Sequence, residues 1–245
     1  MFRFNIKSLT QEQKDTRRRI LEVSSRRKLS HLGSCLSSVD LIDAIYKVKE
    51  KNEKFVLSNG HTGIALYVIL EKNGLIKNPD LINELNVHPD KNLKIGISVS
   101  TGSLGQGLPI ALGMAFANKN KNVYCLISDG ECTEGSIWET LRISTEKKIG
   151  NLKIVLNANG WGAYDPIDVN NLVKKLSSFG YKIKRINGHN MTRLIKALRS
   201  ISTRDKPTII FADTTTDQFP FLKGLDAHYY IMKDNDYKKA TELLK

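Results

Sequence analysis

Two apolar runs in this chain end in turns whose side chains suit a hard cation. Residues 123–127 run into Ser128-Asp129-Gly130-Glu131, and residues 152–156 run into Asn157-Ala158-Asn159-Gly160. A carboxylate and a carboxamide beyond buried strands offer the oxygen donors that Mg²⁺ or Ca²⁺ prefers, with phosphate or water filling the other positions. The glycine after each lets the backbone come close to a ligand. Asp129 and Asn159 are thirty residues apart, about one strand–helix–strand unit, which would bring them together at one sheet edge. Asp and Asn are also common turn residues after strands, so neither decides the matter alone.

A glycine-rich stretch, Ser100-Thr101-Gly102-Ser103-Leu104-Gly105-Gln106-Gly107, leads into an apolar helix-like segment. Backbone N–H groups at such a helix start suit an anion. The stretch is neither a Walker loop nor a G-x-G-x-x-G fingerprint, and a tight turn with close helix packing explains it equally. His31, His61 and His88 lie in polar, Gly- or Pro-containing surroundings, as expected of loops. Gathered in one mouth, such histidines could bind phosphate or move protons near neutral pH. Their spacing does not show that they converge.

The elements that must position these groups alternate along the chain. Residues 9–23 read as a basic amphipathic helix. Ser37 or Ser38 is expected to cap a helix carrying Val39, Leu41, Ile42, Ile45 and Tyr46, with Asp40 in its first turn. Helical patterns follow at 63–75, 108–118, 138–147 and 191–202, and strand patterns at 123–127, 152–156, 181–186 and 208–212. Short buried strands separated by helices predict an α/β fold, a parallel sheet with helices on both faces. Six prolines, no repeat and no Pro/Ser-rich linker predict one unit over residues 1–245.

Composition narrows the class. Hydrophobic residues at 40% and charged residues at 26% exclude a wholly disordered chain. No apolar stretch approaches the ~20 residues of a membrane span, and the charged N-terminus lacks a signal-peptide core, so a cytoplasmic location is expected. Cys35, Cys125 and Cys132 form neither a disulfide framework nor a metal pair; Cys125 reads as core and Cys132 as more exposed. The net charge of +13 suits anionic partners. Basic residues gather at the N-terminus (Arg3, Lys7, Lys14, Arg17, Arg18, Arg19, Arg26, Arg27, Lys28) and again between Lys174 and Arg199. Solvated helix faces explain them without nucleic acid, whose motifs do not accompany the charge.

Taken together, these segments resemble the thiamine-diphosphate half of transketolase, and most of all the N-terminal subunit of split, two-chain transketolases. The resemblance runs from about residue 9 to 230. It rests on His31-Leu32-Gly33-Ser34-Cys35-Leu36-Ser37 with Asp40-Leu41, on Phe55-Val56-Leu57-Ser58-Asn59-Gly60-His61, and on the glycine-rich stretch. Asp129-Gly130-Glu131, Glu134-Gly135, Trp138-Glu139 and Asn159-Gly160 complete it. The resemblance implies the thiamine-diphosphate-binding fold, with thiamine diphosphate and Mg²⁺ (or Ca²⁺) as cofactors. Asp129, Asn159 and the carbonyl of Trp161 would hold the metal. Gly130 and His61 would contact the diphosphate, Gly102 and Leu104 would line the cofactor, and Ser103, Glu131 and His228 would complete the cofactor-contacting set. His31, His61, His88 and His228 would face the reacting carbons or the diphosphate, as the catalytic histidines. Glu134 and Glu139 would lie at a subunit contact.

The same resemblance implies transfer of a two-carbon ketol unit between sugars or sugar phosphates. The glutamate that activates the aminopyrimidine belongs to a second domain in the family. A C-terminal partner subunit, in a heterotetramer of two chains of each type, is therefore expected to supply it. This chain departs from the family in places. Ser128 replaces the first glycine of Gly-Asp-Gly, Asn157 replaces an aspartate, Ser30 precedes His31, and Thr215-Thr216-Asp217-Gln218 replaces a lysine-bearing stretch. These departures keep in view the alternative of a non-catalytic or regulatory subunit, with a basic nucleic-acid-binding module as the third reading.

Overall fold

The two most apolar runs become central strands because both of their faces are covered. The computed structural model describes residues 4–201 and 207–245. Arg3, counted in the N-terminal basic group, and Ser202, the expected end of one helix, lie outside the described residues. In chain order the elements are α1 (Gln11–Arg27), α2 (Leu32–Val48), β1 (Lys54–Leu57), α3 (Gly63–Lys72), α4 (Leu81–Glu84), α5 (Gly107–Ala117), β2 (Val123–Ser128) and α6 (Gly135–Glu146). Then come β3 (Leu152–Ala158), α7 (Val169–Ser178), β4 (Lys182–Asn187), α8 (Met191–Arg199), β5 (Thr208–Asp213), α9 (Asp226–Tyr229) and α10 (Asp234–Leu243).

The five strands form one parallel sheet in the order β1-β2-β3-β5-β4. Every residue of β2 and β3 is buried. Alternate side chains face opposite layers, as the two-residue period of a strand requires. Tyr124, Leu126, Val155, Ile210 and Ala212 join the core under α1, α2, α3 and α8. Val123, Cys125, Ile127, Ile154, Leu156, Ile209 and Phe211 join the core under α5, α6 and α7. The expected parallel sheet with helices on both faces is the observed architecture.

Strand order reverses after β3: β4 goes to the edge and β5 inserts beside β3. The carboxyl ends of β2, β3 and β5 therefore open onto one crevice, where ligands bind in sheets of this kind. Edge strand β4 carries Lys182, Lys184 and Arg185, charges that discourage further strand pairing. Arg185 pairs with Asp213 of β5 at 2.8 Å.

Some local expectations are corrected. Ser37 and Ser38 do not cap a helix; they are fully buried inside α2, which begins at Leu32 with His31 as its N-cap. A serine before an apolar run signals a cap only if its hydroxyl reaches the helix's own N–H groups. Here both hydroxyls accept from the Asn157 amide instead, at 2.9 Å. Asp40 is accordingly not in a first turn but in mid-helix, paired with Arg17. Cys132 is buried, not exposed, and its thiol is pushed well up by burial and by the carboxylates of Asp129 and Glu131. The N-terminal basic group is largely consumed inside the chain: Arg17 by Asp40, Arg19 by Glu71 and Glu22, Arg27 by the Ile82 carbonyl, Lys28 by Asp234. Among the described residues no helix is long and apolar enough to cross a membrane.

Candidate functional site

Burial drives the strands together, and their ends then deliver polar groups to one place. β2 and β3 are paired so that Ser128 lies opposite Asn157. Asp129 and Asn159 therefore emerge side by side. The Asp129 carboxylate accepts the Gly160 N–H at 2.7 Å and the Gly130 N–H at 3.0 Å. Asn159 Oδ1 accepts the Trp161 N–H at 2.9 Å. Gly160 takes φ +86°, a left-handed turn that glycine enters without steric cost.

A cleft of about 150 Å³ opens over these strand ends. His31, His61, His88, His228, Gly102, Leu104, Gly130, Asn159 and Trp161 are on its wall. Four histidines from four separate segments thus converge, His31 at the start of α2, His61 after β1, His88 after α4 and His228 in α9. The ring centroid of His31 lies 4.5 Å from His228, 5.5 Å from His61 and 6.1 Å from His88. His31 itself sits in the left-handed region at φ 65°, unusual for a non-glycine residue, and its N–H donates to the His228 carbonyl at 2.8 Å. That bond ties the start of α2 to α9. The Ser34 hydroxyl, one turn along α2, lies 3.2 Å from His228 Nδ1.

Burial sets the charge state of the cluster. Desolvation, with His228 and His88 nearby, pulls His31 down to about 4. Desolvation and the neighbouring histidines pull His61 down to about 3. Burial also lowers His228. At neutral pH these imidazoles are uncharged, so each presents one donor and one acceptor nitrogen.

The donor set fits a divalent ion bridging to a diphosphate. Asp129 is fully buried, no ion pair of the described residues reaches it, and burial pushes it up to about 7 against the Gly160 and Gly130 N–H groups. A cation beside it reverses that penalty. No group of three His, Cys, Asp or Glu among the described residues could hold a metal by itself. An ion here would be held by Asp129, Asn159 and the Trp161 carbonyl, and would need phosphate oxygens for the rest. Gly130 suits the closeness of these turns: a Cβ there would crowd Gly162 Cα at 3.2 Å and meet the Trp161 carbonyl at 3.5 Å. His31 Nδ1 is buried with no protein partner, the mark of a polar atom whose partner is not protein.

Five residues are placed differently from the others. Ser103 is exposed and is not on the cleft wall. Glu131 is fully buried but also absent from the wall. Its carboxylate accepts the Ser58 hydroxyl at 2.6 Å and the Gly105 and Ser128 N–H groups at 3.0 Å each. It thereby ties the loop after β1, the glycine-rich loop and the turn after β2 into one floor. Asp129 stands just behind the wall that Gly130 and Asn159 form. Glu134 and Glu139 are exposed and not on the cleft wall, with Glu139 paired to Arg142 at 2.6 Å.

The departures acquire physical explanations. Ser128 ends β2 without a positive φ, so the turn does not demand glycine there, and its hydroxyl accepts the Glu131 N–H at 3.2 Å. Asn157 donates to Ser37 and Ser38, and its Oδ1 accepts the Thr214 hydroxyl; an aspartate could not donate to the serines. Asp217 is not on the cleft wall; its carboxylate accepts the Gly224 N–H at 3.0 Å. Thr216, from the same segment, is on the wall. Ser34, Gly162, Ala163, Thr216 and Gly224 are wall residues that the sequence reading did not single out for the site. Ser34 was within reach, three residues after His31 on a helix.

The fit of the loops is tight enough to test. A Cβ on Gly60 would lie 2.6 Å from the Gly102 nitrogen and 2.7 Å from the Thr101 carbonyl carbon, both backbone atoms. Gly60→Ala is therefore expected to cost about 1–3 kcal/mol, the usual range for overpacking, in urea unfolding. It should also displace the glycine-rich loop; an equally stable variant would show that the two loops do not touch.

Similarity to known proteins agrees with this geometry. The family described as transketolase, thiamine diphosphate binding domain, matches residues 19–242. One of the named subunits of apulose-4-phosphate transketolase, from Phocaeicola vulgatus, is 30% identical, across 96% of this chain and 93% of its own length. Its counterpart from Actinobacillus succinogenes is 28% identical, across 97% and 96%. Human transketolase is 31% identical over 83% of this chain, which spans only 37% of the human protein. The crystal structure of transketolase from Campylobacter jejuni superposes with a TM-score of 0.85 at 25% identity, covering 99% of this chain and 43% of that one. The full-length transketolases are thus more than twice as long as the stretch they share with this chain. By sequence along almost its whole length, and by fold, this chain belongs to the transketolase thiamine-diphosphate-binding domain family.

Proposed function

We propose that this chain is the diphosphate-binding subunit of a transketolase-like enzyme that moves a two-carbon ketol unit between sugars or sugar phosphates, and that a second chain completes the site. The observation that carries the reading is the convergence of four histidines over a turn pair bearing Asp129 and Asn159, with burial holding His31 and His61 neutral. Thiamine diphosphate, when bound, supplies a thiazolium carbon that adds to a ketose carbonyl. The chain's own work is to hold the diphosphate and manage protons. Asp129, Asn159 and the Trp161 carbonyl would hold a divalent ion, Mg²⁺ or Ca²⁺, and Gly130 and His61 would contact the diphosphate. His31, His88 and His228 would hold or move protons at sugar hydroxyls. No lysine or arginine of the described residues is on the cleft wall, so a bound diphosphate would need a metal ion to balance its charge.

Two features support a partner chain. Both apulose-4-phosphate transketolase relatives are named as one subunit of their enzyme, not as the whole of it. α5 is apolar on every side: it buries Leu108, Ala111, Leu112 and Ala115, yet leaves Ile110 39% and Phe116 51% exposed. A helix apolar all round needs cover on all sides.

Calorimetric titration of the chain with thiamine diphosphate tests the reading. Binding is expected with Mg²⁺ and not with EDTA. Ketol transfer is expected only after a chain resembling the C-terminal half of transketolase is added. No heat in the presence of Mg²⁺, or full turnover by this chain alone, would overturn the proposal.

A further inference from the structure

A buried charged network lies behind the cleft and touches it at one point. Arg17 of α1 is fully buried and forms a bidentate pair with Asp40 of α2, at 2.6 and 3.0 Å. Asp40 also accepts the Gln13 amide at 3.0 Å, and its Oδ2 lies 2.8 Å from His189 Nδ1. The Arg17 Nε–H reaches Gln218 Oε1 at 2.8 Å, and the Gln218 amide reaches the Leu36 carbonyl at 2.9 Å. His189 precedes α8 and closes the network: its Nε2 accepts the Thr215 N–H at 3.2 Å.

The hydrogen bonds fix the tautomer of His189. A backbone N–H only donates, so Nε2 must carry the lone pair and Nδ1 the proton. The Nδ1–H then donates to Asp40, which Arg17 holds in place. Thr215 begins the segment that departs from the family, and the next residue, Thr216, is on the cleft wall. The segment carries no cation; its contribution is its position. Thr216 is confined further by Gly33, where an added Cβ would lie 3.1 Å from its own Cβ.

We propose that His189 is a positioning residue of the cofactor cleft: oriented by the Asp40–Arg17 pair, it anchors the 214–218 segment through the Thr215 N–H and so sets Thr216 in the wall. The inference rests on the cleft being the thiamine-diphosphate site.

Two substitutions separate anchoring from general stability. His189→Asn keeps a donor near Asp40 but loses the distal acceptor. His189→Gln places its Oε1 near the Nε2 position and restores that acceptor. Calorimetry with Mg²⁺ and thiamine diphosphate is expected to show about tenfold weaker binding for H189N, the scale of one lost hydrogen bond, and binding within about threefold of the parent for H189Q. Amide exchange over residues 214–218 should quicken in H189N and not in H189Q, with no ligand present. Parental affinity in H189N, or equal losses in both variants with unaltered exchange, would overturn the inference. A parent chain that takes up no thiamine diphosphate would instead overturn the reading of the cleft itself, and this inference with it.

Discussion

Asp129→Asn is expected to abolish Mg²⁺-dependent uptake of thiamine diphosphate while leaving the free chain at least as stable as the parent. The two halves of this result have one cause. The Asp129 carboxylate is fully buried and no ion pair of the described residues reaches it, so burial pushes it up to about 7. An unpaired buried charge is a cost that the free chain bears. Asparagine keeps an oxygen to accept the Gly130 or Gly160 N–H and removes that cost. It also removes the one carboxylate of the proposed metal site. Loss of a mere supporting residue around a metal costs about 10–100-fold in affinity, so loss of this ligand should exceed about 100-fold. Thermal unfolding reads both effects. At a hundredfold excess over Kd the parent should gain about 2.7 kcal/mol from Mg²⁺ and thiamine diphosphate, and the variant nothing. An equal gain in both would remove Asp129 from the site.

Asp40→Ala should have the largest effect on folding. The alanine leaves the Arg17 guanidinium fully buried without its counter-charge. Breaking such a pair from one side costs about 3–5 kcal/mol. A domain's whole stability is about 5–15 kcal/mol, so the variant is expected to be marginal or unfolded at ambient temperature. Asp40→Asn is the milder probe. Its Oδ1 can still accept from Arg17, but its amide then opposes the Nδ1–H of His189.

The pH dependence has a definite sign. The Arg17 charge and the His189 hydrogen bond hold the Asp40 carboxyl well below the usual carboxylate range, against the opposing effect of burial. Its contribution is therefore complete above about pH 4, the ordinary aspartate value, and is lost as pH falls from there toward the folded-state value. In urea unfolding, the parent should exceed D40N by a constant margin from pH 7 to 5, and the margin should shrink below about pH 4. A margin indifferent to acid would mean that the pair contributes nothing through its charge.

The legibility of this chain follows from how local each signal is. β2, β3 and β5 are readable because a strand covered on both faces must be mostly apolar, and these are, with polar residues chiefly at the ends. β1 escapes a reading of apolar runs; it has four residues, opens on Lys54 and pairs along one side only. α7 escapes as well, although Asp168 caps it by accepting the Asn170 and Asn171 N–H groups. Ser37 and Ser38 mislead because a hydroxyl's partner is chosen by the fold; theirs is Asn157, 120 and 119 residues away.

Within the candidate site, Asp129 and Asn159 are legible as a pair because β2 and β3 are sequential neighbours, and adjacent parallel strands end together. Glu131 is legible as chemically important, but its role is not. Which loops a buried carboxylate ties is set by Ser58 and Gly105, neither of them its strand neighbour.

The sequence alone determined the layered α/β class, the family and the residue types at the strand ends, since apolar period and local motifs act over a few residues. Only the tertiary structure decided that His31, His61, His88 and His228 share one cleft, that Arg17 is sealed against Asp40, and that His189 reaches Thr215. Those contacts join residues up to two hundred positions apart, and packing of helices on a sheet, not chain spacing, brings such groups within bonding distance.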